Sequence, residues 1–510
     1  MPTAKSGVRE ARVATGAALR PERFIILAIV AAVLWRAWDF LQLIPAYLRA
    51  PYQFDYEEGN IVNALLRISH HQTPYPDPHA FPSVFNTYGP VAYYTLYIPV
   101  KLFGLSFLAP RILIFSCALL IAFLLALTLW RATRSLTVAA AFGVIYLCSP
   151  IVQDWCFLVR VDFLGIALTL AGLWFFLNYP DMRGLAATVF AAALLTKLSL
   201  LAAPAACIAY LLVTRKWKQA ALFALIIVGD FAVVVSIFAV LTDGAILTHL
   251  FRSHPDPFSW TVYLLRMSAL FADNRALYAL SAVYVIGDLL HRRATVPTLW
   301  LVFATFNAVT AGKLGSGWNH FLEWPAALCL CAGLGLFTLT QLPARSVAFS
   351  TTTIASAWLL WFALQPNLRP DAFGPVESCS SAYAWVKNDA GPNILSMNVG
   401  ALVFGGKKVW VSNPFVLSQL VQQAGWSDQE LTRMIREHRF DAILTDFDYA
   451  GIPAFRASGV ELFSPAELQA IFNDYTITRR LHCKDIGVIY EPKSPAGRQL
   501  SRTSSSRPRS

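Results

Sequence analysis

Charge is what this sequence has least of. Only 14% of its 510 residues are Asp, Glu, Lys or Arg, while 56% are hydrophobic. A soluble globular chain carries about 25% charged residues, so that class is excluded. Several chemical signatures are missing as well. There is no Walker motif, no Rossmann glycine fingerprint and no G-x-S-x-G, which argues against direct use of a nucleotide. There is no H-E-x-x-H, and His70 and His71 are neighbours that would point apart on a helix. With His79 and the nearby acids they leave room for a loosely bound divalent cation, but no metal or other cofactor is required. The eight cysteines include no C-x-x-C, and Cys329 and Cys331, the one close pair, have no ligands beside them. The net charge of +11 forms no basic stripe, so nucleic acid is not an expected partner. Its cations suit topology determinants or contact with anionic lipid.

Long apolar runs take the place of charge. Candidate spans are Phe24–Tyr47, Gly89–Phe103, Arg111–Trp130, Ser135–Ser149, Phe163–Asn178, Leu185–Val213, Trp217–Leu241, Ala276–Leu290, Val296–Ala311, Phe321–Thr340 and Arg345–Leu364. Leu185–Val213 is long enough for two short spans or one bent pair. This is the pattern of a polytopic α-helical membrane protein with roughly 10–13 spans. Lys5, Arg9, Arg12, Arg20 and Arg23 precede the first span, so residues 1–23 are expected to form a cytoplasmic basic tail. Residues 24–366 would be the membrane module, and the loop at 49–88 would face outward. One conflict stands: simple alternation puts Arg131 and Arg134 outside, against the positive-inside trend. Arg36 and Asp39 interrupt the first span at i,i+3 spacing and can pair within a helix.

After Leu364 the composition changes. The connector "QPNLRPDAFGP" leads into alternating strand-like and helix-like stretches. "NILSMNV", "KVWVS", "FDAILTDFD", "YTITRRLH" and "IGVIYEP" read as strands. "SDQELTRMIREHR" and "SPAELQAIF" open with capping-box signals, Ser427 with Glu430 and Ser464 with Glu467. Residues 367–491 are therefore expected to be a small extracytoplasmic α/β domain, and 492–510 a disordered basic tail. Cys379 and Cys483 lie outside the spans, and on an oxidising side they could form a disulfide.

The chemistry concentrates just after the first span, in "YQFDYEEGNIVNALLRISHHQTPY". Asp55, Glu57 and Glu58 precede a helix-like stretch that could lie on the membrane surface, with the acids at its N-terminal end. Such a cluster is an acidic loop, a cation site, or the seat of a general base acting on an acceptor hydroxyl or amine. Further along, "LVRVDFLG" holds Arg160 and Asp162, whose i,i+2 spacing on a helix would keep them from pairing. "LLTKLSLL" holds Lys197, and "AGKLGSGWNHFLEWPA" holds Lys313, Asn319 and His320. Charged and polar residues within or beside apolar segments are costly there without a role or a partner.

The order of apolar span, acidic pair, surface helix, "PY", "YGP" and "LFGLSFLAPRI" resembles the polyprenyl-phosphate-sugar-dependent glycosyltransferases of the GT-C class. It looks most like the bacterial relatives of protein O-mannosyltransferases and of the lipid A aminoarabinose transferase. The resemblance implies a GT-C-like helical bundle in the cell membrane, with its active site on the extracytoplasmic side. It implies inverting transfer of a hexosyl or pentosyl group to a glycan, lipid or protein acceptor. The family's acidic pair, which includes its catalytic base, matches Glu57-Glu58 here, with Asp55 close enough to compete. The resemblance also implies that Arg160, Lys197, Lys313, Asn319 and His320 are candidate ligands for the lipid phosphate and its sugar. Two other classes are open at this stage: a secondary transporter or lipid flippase, and a membrane scaffold whose α/β domain binds a partner.

Overall fold

The computed structural model describes residues 44–343 apart from 254 and 314, residues 348–354, and residues 379–493 apart from 447, 449–461, 482 and 484–485. Positions 27, 31, 35, 38 and 42 are described too. Arg36, Asp39, both terminal tails, the proline-rich connector and most of the last expected span lie outside these residues.

The apolar runs fold as helices because continuous Leu, Ala, Ile and Phe leave backbone hydrogen bonding to be satisfied within each segment. After the helical residues 44–49 come α1 (Tyr56–Ser69), α2 (Pro90–Phe103), α3 (Leu108–Thr133), α4 (Leu136–Leu147), α5 (Pro150–Trp155) and α6 (Asp162–Asn178). The expected double segment at Leu185–Val213 is two helices, α7 (Arg183–Leu194) and α8 (Ala202–Val213), with a break between them. Then follow α9 (Trp217–Leu241), α10 (Trp260–Asp273), α11 (Arg275–Leu290), α12 (Val296–Asn307) and α13 (Glu323–Thr340). Helix α10 was not among the expected spans, since Arg266 and Asp273 interrupt its apolar pattern. Among the described residues, Leu108–Thr133, Trp217–Leu241 and Trp318–Thr340 are each long and apolar enough to cross a membrane alone. At 1.5 Å per residue the first reaches about 39 Å, more than the hydrocarbon thickness. The shorter helices pack among them around one continuous apolar core.

The C-terminal part is the expected α/β unit. Its elements are α14 (Ser380–Asn388), β1 (Ile394–Ser396), α15 (Val399–Phe404), α16 (Pro414–Ala424), α17 (Gln429–Arg436), β2 (Ala442–Thr445), α18 (Pro465–Asp474), β3 (Tyr475–Arg480) and β4 (Val488–Pro492). The strands form one sheet in the order β1-β2-β4-β3, parallel between β1 and β2 and antiparallel elsewhere. Cys379 and Cys483 are joined by a disulfide that closes the unit on itself.

Two local expectations need correction. "KVWVS" is not a strand of this sheet; Val411 makes an isolated parallel bridge with Ser83 of the loop between α1 and α2, so its partner is the membrane module. The capping box at Ser427 does not form, because helix α17 starts one residue later with Asp428 at its N-cap. Asp428 accepts instead from the Ser464 hydroxyl.

The second capping box does form: Ser464 Oγ accepts from Glu467 N at 3.2 Å, and Ser464 N donates to Glu467 Oε2 at 2.8 Å. Glu467 is only 2% exposed, and its Oε1 has no hydrogen-bond partner. Burial, reinforced by the nearby Asp428 charge, pushes its carboxyl up to about 8. A folded-state value above the unfolded one gives stability that is fully present below about pH 4.5 and lost as pH rises through about 8. Glu467→Gln keeps the capping box and removes this titration. Comparing thermal unfolding of the two intact proteins in detergent should therefore show wild type losing about 1.4 kcal/mol per pH unit relative to the variant within that window.

Candidate active site

The acids sit where the sequence suggests, at the start of α1. Asp55 is the N-cap, with extended backbone (φ −134°, ψ 139°), and its side chain accepts from Glu57 N at 3.1 Å. Glu57 and Glu58 fall in the first turn, where the free N–H groups and the helix dipole favour negative charge. The apolar residues of the helix are enclosed by protein, however. Residues Glu57 to Leu65 are all buried, with the apolar ones in the core of the helical bundle and the C-terminal domain reaching the helix through Gly400 and Asn413. Glycines make this possible: a Cβ on Gly59 would come within 2.3 Å of Gln53 Oε1 and 2.5 Å of Gly400 N. Gln53 Oε1 accepts from Gly400 N at 2.9 Å, and Tyr383 OH accepts from Gln53 N at 3.0 Å.

The three carboxylates have different surroundings. Glu58 is closed off. It takes two hydrogen bonds from Arg111, from Nε and Nη2, both at 2.9 Å, and further ones from Phe54 N at 2.6 Å and Val159 N at 2.8 Å. Both side chains are fully buried. Arg111 also donates to the carbonyls of Tyr47, Ala50 and Tyr52, between the faces of Phe54 and Phe107. This is a clasp that holds the loop onto α3.

Asp55 opens a chain of alternating charge. Its Oδ1 accepts from Arg160 Nη1 at 2.6 Å, and Arg160 Nε lies 3.6 Å from Asp162 Oδ2. The expectation that Arg160 and Asp162 stay apart fails because Arg160 lies in the turn before α6, where helical spacing does not apply. Asp162 Oδ1 in turn accepts from Lys197 Nζ at 2.5 Å and Asn319 Nδ2 at 3.1 Å. Arg160 Nε, Asp162 Oδ2 and Asn319 Oδ1 are buried without a hydrogen-bond partner. A buried polar group in that state is costly unless something completes it.

Lys197 is brought there by the break between α7 and α8, and the "YGP" turn seats that break. Gly89 N donates to Thr196 O at 3.3 Å, and a Cβ on Gly89 would lie 1.9 Å from Leu195 O. No flexible side chain can yield there. Gly89→Ala is therefore expected to cost about 1–3 kcal/mol, seen as lower folded yield and unfolding temperature, whereas Gly287, where a Cβ would meet nothing within 4 Å, should tolerate Ala.

Glu57 lies between these two systems. Its Oε1 is 3.4 Å from Asn413 Nδ2 of the C-terminal domain. Tyr56 beside it is held protonated well above the usual phenol range, by burial and then by the Glu57 charge. Tyr88 is shifted the same way, chiefly by burial. Of the remaining candidates, His320 Nδ1 meets Thr310 Oγ1 at 3.0 Å, and Lys313 sits half-buried where its segment bridges to Phe258. Thus Arg160, Lys197 and Asn319 converge on Asp162 and Asp55 joins them through Arg160, while Lys313 and His320 stand on the loop that carries Asn319. Among the described residues no group of three His, Cys, Asp or Glu side chains is placed to hold a metal ion.

Three participants were not among the expected site residues. Asp162 sits in a quoted motif and is the hub of the cluster. Arg111 carried a signal, a lone cation opening a long apolar helix. Asn413 carried none beyond "NP", the mark of a helix start.

No protein-family model and no curated protein matches this sequence. Solved structures do match it in shape. ArnT from Cupriavidus metallidurans in the apo state superposes with a TM-score of 0.59 at 12% identity, over 92% of this chain and 97% of that one. The same protein bound to undecaprenyl phosphate gives 0.58 at 12% identity, over 92% and 98%. The oligosaccharyltransferase of Archaeoglobus fulgidus in the apo form gives 0.54 at 12% identity, over 93% of this chain and 75% of that one. The likeness is one of fold, a GT-C-like helical bundle carrying a small α/β domain.

Proposed function

We propose that this chain is a membrane glycosyltransferase that moves a sugar from a polyprenyl-phosphate carrier to an acceptor, with Glu57 as general base. The observation that carries the reading is the buried chain Asp55–Arg160–Asp162–Lys197 beside Glu57, with Arg160 Nε, Asp162 Oδ2 and Asn319 Oδ1 each buried without a hydrogen bond. The fold shared with a chain that binds undecaprenyl phosphate supports it.

In this reading the acceptor's O–H or N–H proton passes to the Glu57 carboxylate. The acceptor atom bonds to the anomeric carbon on the side opposite the phosphate, with inversion. The carbon–oxygen bond to phosphate breaks, and its electron pair stays on the phosphate oxygen. Arg160 and Lys197 offset the charge that develops there, with Asn319, Lys313 and His320 at the margin. Glu58 is committed to Arg111 and Asp55 to Arg160, each held in an ion pair with a buried guanidinium. No step calls on a cofactor. The Cys379–Cys483 disulfide supports an oxidising, extracytoplasmic side for the site, and the basic N-terminus supports a cytoplasmic start.

The test is mass spectrometry of a panel of polyprenyl-phosphate sugars, incubated with the purified protein and an extract of the native envelope. Consumption of one glycolipid by wild type, and not by Glu57→Gln, supports the reading and names the donor. Movement of labelled lipid across vesicles with no glycolipid consumed would replace it with a flippase.

A further inference from the structure

We infer that Asn413 of the C-terminal domain is a positioning residue for the Glu57 carboxylate, so that the site is complete only with that domain in place. The importance of Glu57 rests on the function proposed above; the contact itself does not.

Asn413 is 3% exposed and stands at the N-cap of α16, where its Oδ1 accepts from Val416 N at 3.1 Å. That bond settles which end of the amide is which. With oxygen turned to the helix, the NH2 must face the other way, and there Nδ2 meets Glu57 Oε1 at 3.4 Å. The two residues are 356 positions apart in sequence.

The backbone before Asn413 is held to the loop between α1 and α2 on both sides of the Ser83–Val411 bridge. Ser83 N donates to Trp410 O at 2.9 Å, Ser412 N to Ser83 O at 3.0 Å, and Phe85 N to Ser412 Oγ at 2.8 Å. Pro414 at the first helical position fixes the chain beyond it. Phe415 packs on Gly315, so closely that a Cβ there would lie 2.3 Å from its ring. The start of α16 is thus wedged between the loop that bears Glu57 and the loop that bears Lys313 and Asn319. An N–H donor that cannot turn away from a carboxylate favours the ionised form and fixes its direction. Other groups bear on Glu57 as well: Arg160, Lys197 and the Tyr56, Tyr88 and Tyr93 phenols, with Asp55 two residues before it. The substitutions below leave all of them in place.

Serine and aspartate both cap helices as well as asparagine does. Asn413→Ser therefore keeps α16 but is too short to donate to Glu57, and Asn413→Asp keeps shape and cap while setting an acid against an acid. The readout is the Glu57 titration in the full-length protein labelled with carboxyl-13C glutamate. Infrared difference spectra against the matching Glu57→Gln protein isolate this one carboxyl. The expected midpoint rises by about 0.5–1 pH unit in Asn413→Ser and by more in Asn413→Asp. Unchanged midpoints in both variants, with or without a common fall in unfolding temperature, would reduce Asn413 to a helix cap and overturn the inference. The midpoint is indifferent to whether transfer depends on Glu57, so a failure of the base assignment, seen as transfer by Glu57→Gln, is told apart from a failure here.

Discussion

Glu57→Gln is expected to lower transfer by about 100- to 10,000-fold, the usual contribution of a positioned base, with an unfolding temperature within about 3 °C of wild type. The substitution keeps the volume and leaves an oxygen for Asn413, so it removes the proton acceptor and, with it, one negative charge near Arg160 and Lys197. Its neighbours give the contrast. Asp55→Asn keeps the helix cap and an oxygen for Arg160 but removes the negative charge that holds the guanidinium at 2.6 Å. Its loss should fall in donor KM more than in kcat, because the displaced guanidinium is placed to meet phosphate. Single-turnover rates separate the two. Equal loss of kcat in both variants, with KM unchanged, would move the base role away from Glu57 alone.

Breaking the Glu58–Arg111 clasp should have the largest effect on stability. Both groups are fully buried, and Arg111 alone serves the Glu58 carboxylate and three backbone carbonyls. Removing one partner of such a pair costs about 3–5 kcal/mol, because the other stays buried with its charge uncompensated. Arg111→Met should be the worst single change, since it strands an anion. Adding Glu58→Gln to it should recover part of the loss, in unfolding temperature and in folded yield from detergent extracts. Transfer per folded molecule should change little in Glu58→Gln. If that value instead fell as far as in Glu57→Gln, Glu58 would be doing chemistry.

Much of the site was legible in the sequence, for reasons that can be named. A carboxylate just before a helical apolar pattern is a cap, so Asp55, Glu57 and Glu58 fall at a helix start whatever the rest of the chain does. Charges inside apolar segments need partners, so Arg160 and Lys197 stood out against their neighbours. Ser464, Pro465 and Glu467 spelled a capping box, and the helix begins there. Ser427 with Glu430 spelled the same signal and failed, because Ser464 draws Asp428 into a contact that no local pattern records. "KVWVS" had strand composition, yet its partner is Ser83, more than 300 residues away.

What the sequence determined by itself was local: where apolar runs become helices, where they begin, and which charges cannot remain alone. Backbone hydrogen bonding and the cost of burying a charge act over a few residues and leave a mark in the order of side chains. Only the tertiary structure decided which acid is closed by Arg111, which pairs with Arg160, and which faces Asn413. Those pairings join segments 53, 105 and 356 residues apart. They depend on how helices and loops pack in space, down to the absence of a Cβ at Gly59 and Gly89. Three adjacent acids with the same composition around them thereby came to have three different surroundings.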